Sequence, residues 1–189
     1  MLNLTSAFAP PGWRHRLWLA LLVAASLGCT LGFACALPFA AFGAIAALTL
    51  PRRDALLLTV ALWLVNQVIG FAILHYPGDG LTLVWGAVLG LVAMLSTVAA
   101  QGVTPGRGIV AAALAGFAAS FVVYEGSLYL VSALALGGTE DFTVAIVARI
   151  LAINAAAFAG LLAAALLIAA ATGSRSGALG RVARPMALH

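Results

Sequence analysis

The sequence predicts an all-α integral membrane protein, a polytopic bundle of six transmembrane helices with the N- and C-termini cytoplasmic. Three observations carry that expectation. The 189 residues are 65% hydrophobic and only 7% charged, against about 25% charged in a typical soluble domain. Long apolar runs alternate with short polar turns, the pattern of membrane-spanning helices. Eight of the nine arginines sort to alternate turns and ends, and the turns between them carry carboxylates and no arginine, as the bias of basic residues toward cytoplasmic loops requires.

Taken in order, residues 1–16 read as a short polar lead. Pro10-Pro11-Gly12 stops any early helix, and Trp13 and Trp18 flank Arg14-His15-Arg16 as an aromatic and basic interface anchor. The run from Leu17 to Leu50 carries no charge. As one helix it would span about 50 Å, too long for a ~30 Å hydrocarbon core. Pro38 divides it into a helix over about 17–36 and a short one over about 38–50. A secretory leader competes for this segment, with Ala34-Cys35-Ala36 as its cleavage pattern; we take the segment as a membrane helix. Pro51-Arg52-Arg53-Asp54 makes the next turn, and helices follow at about 54–75, 81–101, 109–136 and 142–172. One domain therefore covers 1–172, and the Gly/Ser/Arg-rich residues 173–189 read as a flexible cytoplasmic tail.

With a cytoplasmic N-terminus, Arg14, Arg16, Arg52, Arg53, Arg107, Arg175, Arg181 and Arg184 all lie inside, while Asp79, Glu140 and Asp141 lie outside. That split places the chain in the cell's inner, cytoplasmic membrane with the bilayer as first partner. All nine basic residues are arginines, and all but Arg149 are dispersed near helix ends, so the net charge of +4 points to topology and not to nucleic acid. Cys29 and Cys35 show neither a CxxC nor a metal-binding spacing and read as small packing residues. Small residues recur every fourth position from Ala20 through Ala24, Gly28, Gly32, Ala36 and Ala40 to Ala44. Such a face admits a close backbone; packing inside the bundle is the favoured use and docking to another subunit the other. Gly86-x-x-x-Gly90 reads the same way.

Two charges sit within apolar runs, Glu125 and Arg149, on either side of the acidic turn Gly137–Asp141. A charge in hydrocarbon costs at least ~2.5 kcal/mol and needs a partner. Counted from the turn, the two differ in depth by about 6 Å, within reach of an arginine side chain, so a direct pair is expected. Asn66, Gln67, Asn154 and Tyr129 reach similar depth, with His75 at the outer mouth and Trp63 or Trp85 as a stacking wall. Together they predict an outward polar pocket for a small organic ligand. The competing use of each amide is an interhelical hydrogen bond. The sequence has no HExxH, nucleophile elbow, GxGxxG or P-loop. We therefore expect no catalytic residue, no metal site and no cofactor; an enzyme using Glu125 as acid or base lacks a second group.

The short six-helix layout, the small-residue ladder from Ala20 to Ala44 and the polar groups on the third, fifth and sixth helices resemble the substrate-binding S component of energy-coupling factor (ECF) vitamin transporters. The resemblance covers the chain in outline and lacks the Gly-rich biotin-type motif. It implies uptake of a vitamin or related solute, with a transmembrane coupling subunit and ATPases supplied in trans. The alternative is a structural accessory subunit of a larger membrane complex.

Overall fold

The computed structural model describes residues 4–9, 12–32 and 37–182, and among these all regular structure is helical. Seven helices follow in order: α1 (Leu4–Ala7), α2 (Trp13–Gly32), α3 (Phe39–Thr49), α4 (Arg52–Ala72), α5 (Gly80–Val103), α6 (Ile109–Val131) and α7 (Val144–Val182). Four of them are long and apolar enough to cross a membrane: α4, α5, α6 with the turn that extends it to Leu136, and α7 over Val144–Ala171. Pro10, Pro11, Ala34-Cys35-Ala36 and Arg184 lie outside the described residues.

The bundle is built around its shortest full helix. Leu37 and Pro38 are non-helical, and Leu50 is extended because it precedes Pro51. These limits leave α3 eleven residues, about 16 Å of rise, roughly half a hydrocarbon core. It is apolar on every side, and a helix of that kind is stable only inside. Ten of its residues are buried, with α4, α5, α6 and α7 around it. Gly43 is what lets two neighbours come so close: a Cβ there would stand 2.8 Å from Thr97 Oγ1 and 3.1 Å from Ser120 Oγ.

Side-chain bonds fix which ends coincide. Trp18 Nε1 donates to Thr49 Oγ1 at 3.0 Å, and His15 Nε2 stands 3.4 Å from Asp54 Oδ2. The start of α2, the end of α3 and the start of α4 therefore share one end of the bundle, the arginine end. Asp79, Glu140 and Asp141 mark the opposite, carboxylate end.

The structure corrects three expectations about elements. The lead is not merely polar. It forms the turn α1, packed on α3 and α7, because Leu4 and Phe8 are apolar enough to be buried; Phe8 stacks on Trp18 at 4.9 Å and its carbonyl bonds His15 Nδ1 at 2.9 Å. The helix after it accordingly starts at Trp13, four residues early. Finally, α7 does not stop at 172 but runs on to Val182: no proline intervenes before Pro185, and propagating a helix is far easier than starting one.

Candidate functional site

Asn154 lies where three helices meet. Pro38 has no side chain that can cap α3, so the first-turn N–H groups need other acceptors. Asn154 of α7 supplies one: its Oδ1 accepts from Ala41 N at 3.1 Å, while its Nδ2 donates to Ile150 O at 3.0 Å. From α6, Ser120 Oγ donates to Ala40 O at 2.9 Å. Helical rise puts Ser120 about 16 Å from the arginine end of α6 and Asn154 about 15 Å from the carboxylate end of α7. The start of α3 therefore sits at mid-depth, and Asn154 is engaged in holding it there.

The remaining expected residues divide by location. On α4, Asn66 continues the buried stripe of Leu58, Leu62 and Ile69. Gln67 lies across α5, its Nε2 3.5 Å from Gly86 O, and Trp63 Nε1 donates to the same carbonyl at 2.8 Å. The Gly86-x-x-x-Gly90 groove thus holds Gln67 and Trp63, as its packing use predicts. His75 is exposed in the turn after α4, with a left-handed φ of 55°. Tyr129 is half exposed and meets the Phe142 ring edge-on at 5.5 Å. Among these residues, no two of Glu125, Arg149, Asn66, Gln67, Asn154, Tyr129 and His75 share a hydrogen bond or ion pair.

The expected pair of Glu125 and Arg149 does not form; the ion pair found among the described residues is His15–Asp54. The two do stand at matching depth, about 9 and 8 Å from the carboxylate ends of α6 and α7. Their helical phase separates them. The buried face of α7 carries Asn154, Phe158, Ala165 and Ala169, and Phe158 stacks on Phe117 of α6 at 5.0 Å. Arg149 precedes Phe158 by nine residues, about half a turn in phase, so it faces away from α6 and is exposed. Glu125 is 8% exposed, and its Oε2 is buried with no hydrogen-bond partner.

Two clefts stand out among the described residues, and neither is lined by any of the seven. One, about 510 Å³ at the carboxylate end, lies among α5, α6 and the α6–α7 connection, with Trp85, Leu89, Leu128, Asp141 and Phe142 in its wall. One π-helical turn, Ser132–Leu136, closes α6 there, and Gly137 and Gly138 follow with φ of 76° and 90°. Those angles are costly for residues with a Cβ, which is what two consecutive glycines relieve. The connection folds back over the cleft as a result. The other, about 1280 Å³, lies at the arginine end. Trp63 or Trp85 was expected to wall a pocket of the seven residues; Trp85 instead lines this different cleft with Asp141 and Phe142, whose place in a glycine-flanked turn was the available signal.

Scans against protein-family models, curated proteins and solved structures return no match for this chain. Among the described residues, no three His, Cys, Asp or Glu side chains stand together as a metal site would need.

The small-residue ladder is split by the fold. Ala40 and Ala44 are buried in α3, as packing predicts. On α2, Ala20, Ala24 and Gly28 are exposed, and a Cβ at Gly28 would meet nothing within 4 Å. The favoured use of that half, packing within the chain, is therefore not realised among the described residues.

Proposed function

We propose that this chain is a membrane-embedded binding subunit for the uptake of a small organic solute, with six passes and both termini on the cytoplasmic side of the inner membrane. The observation that carries the reading is Glu125. A buried carboxyl oxygen without a partner, inside an apolar helix, is costly, and a ligand that donates to it relieves that cost. On α6, Glu125 lies one turn deeper than Leu128, which lines the 510 Å³ cleft. That volume is within the range of small-molecule sites, about 300–1,000 Å³. Trp85 and Phe142 offer apolar walls and Asp141 a polar rim. Glu125 does not line the cleft, so the ligand expected there extends inward past Leu128, with a hydrogen-bond donor or a cationic nitrogen for Glu125 and an apolar or aromatic body in the cleft. A vitamin-like molecule has that character, as in the ECF S components. In this reading Arg149 is not part of the site but extends to the outer interface, and Asn154 acts by holding α3.

The test is native mass spectrometry of protein gently extracted from its own membrane. A small molecule retained on wild type and lost in Glu125→Gln, with both proteins monodisperse, is the expected result. Retention equal in the two proteins would remove Glu125 from the site.

A second reading, a structural accessory subunit, is favoured by the exposed Ala20, Ala24 and Gly28 face of α2, which suits a transmembrane partner helix. Within the uptake reading the same face would meet a coupling subunit joined to ATPases. Co-purification distinguishes the two: a partner held without any small molecule supports the accessory role.

A further inference from the structure

The larger cleft, at the arginine end, takes no part in the uptake reading. Its walls come from Leu4 of α1, the end of α3, the α3–α4 turn, the end of α5, the α5–α6 turn and the start of α6. Three features in it bear on what it could hold. First, Arg52 and Arg107 both line it and are both exposed. The Pro105-Gly106 turn, with Gly106 at φ 73°, presents Arg107, whose Nε donates to Val103 O; the rest of its guanidinium is left for another acceptor. Among the described residues the carboxylate side chain at this end, Asp54, faces His15 at 3.4 Å. Second, α6 begins in the cleft wall at Ile109, and its N-cap, Gly108, has no side chain to cap it. Its first-turn N–H groups add donors and the positive end of a helix dipole. Third, Gln101 bridges α5 to α4 by donating Nε2 to Arg52 O at 3.4 Å, but its Oε1 is buried without a partner. That atom and Glu125 Oε2 are the two such side-chain atoms among the described residues. Gln101 Oε1 calls for a hydrogen-bond donor, an opposite demand from that of the arginines. The remaining wall is largely aliphatic, with Leu48, Leu50, Val98, Ile109 and Val110.

We propose that this cleft binds one anionic glycerophospholipid. The phosphate lies between Arg52, Arg107 and the first turn of α6, a headgroup hydroxyl donates to Gln101 Oε1, and an acyl chain covers the aliphatic wall. A free phosphate ion would satisfy the arginines but neither Gln101 nor the aliphatic wall. A zwitterionic choline lipid would offer Gln101 no donor and would bring its own cation against the arginines.

The full-length protein in maltoside micelles is titrated with phosphatidylglycerol, or with phosphatidylcholine of identical acyl chains, and bound lipid is counted by native mass spectrometry. Wild type is expected to hold one phosphatidylglycerol at least about tenfold more tightly than phosphatidylcholine, the factor that ~1.4 kcal/mol represents. The preference should vanish in the Arg52→Gln/Arg107→Gln double variant and fall several-fold in Gln101→Leu. Equal retention of the two lipids overturns the proposal. So does an undiminished preference in the double variant. Displacement of phosphatidylglycerol by equimolar inorganic phosphate would assign the cleft to a soluble anion instead. Should the double variant not elute as a monodisperse species, Gln101→Leu decides, and an unchanged preference there overturns the headgroup placement. None of these outcomes involves Glu125, so the uptake reading stands or falls separately.

Discussion

Glu125 and Arg149 show how depth and phase act separately on one residue. Depth follows from counting along each helix, and both residues sit at similar depth. Phase depends on which face a neighbouring helix covers, and that separates them. Arg149 lies about 8 Å below the start of α7, near enough for its long stem to bring the guanidinium to the interface. Phase also explains the tolerance expected at Gly90. A Cβ there would stand 2.6 Å from the Trp63 ring, and that half-buried ring is held in place by its bond to Gly86 O. Gly90→Ala should destabilise by about 1–3 kcal/mol, as overpacking does, whereas Gly28→Ala should be neutral to the monomer's thermal unfolding in micelles. Asp79 makes a pH prediction. It caps α5 by accepting from Thr82 N at 2.8 Å and Thr82 Oγ1 at 3.1 Å. The bonds to the Thr82 backbone N–H and hydroxyl hold its carboxyl below the usual carboxylate range. The folded form therefore favours the ionised group. Its contribution is full above the unfolded carboxylate value of about 4 and is lost as pH falls through the lower folded value. Asp79→Asn should flatten the stability profile in that acidic window; an unchanged slope below pH 4 would show that the cap carries none of it.

At the scale of elements, α3 depends on its neighbours more than any other helix. It is too short to be stable alone, and it begins at mid-depth where no water can meet its first N–H groups. Asn154 and Ser120 meet it there from α7 and α6. Asn154→Ala leaves the Ala41 N–H buried without an acceptor, for an expected loss of about 1–3 kcal/mol in thermal unfolding. Within the proposed uptake role, loss of Asn154 would weaken ligand binding indirectly, by releasing α3. A melting curve taken alongside a binding assay separates that outcome from loss of a contact. At the other end of α3, Trp18 bonds Thr49 and His15 meets Asp54. These ties join the beginning of α2 to the start of α4.

For the whole molecule, the bundle presents two chemically different ends. Arg52 and Arg107 share one cleft, and Asp141 borders the other. In a membrane this arrangement makes a prediction about sidedness. With Cys29 and Cys35 replaced by Ala, single cysteines at Gly78 and Glu140 should react with an impermeant thiol reagent added to intact cells, and one at Gly106 should react only after the membrane is opened. Labelling of Gly106 from outside would invert the orientation. The exposed face of α2 belongs to this scale too, because no described residue of the chain covers it.

Much of this was legible in the chain because membrane solvation leaves few choices. Backbone polar groups must be satisfied within each crossing, so apolar length and polar punctuation determine helices. The short second helix, expected at about 38–50, is observed at Phe39–Thr49 because Pro38 and Pro51 bound it locally. The segregation of arginines from carboxylates is likewise a property of the sequence. The tertiary structure alone decided what faces what. It turned Arg149 outward, gave Asn154 to the start of α3, gave Gln67 and Trp63 to the Gly86–Gly90 groove, and folded Asp141 and Phe142 over a cleft. In an all-apolar helix the sequence marks no buried side, since lipid and protein interior reward the same side chains. Which face packs is settled by where small residues, rings and unsatisfied polar atoms of different helices meet.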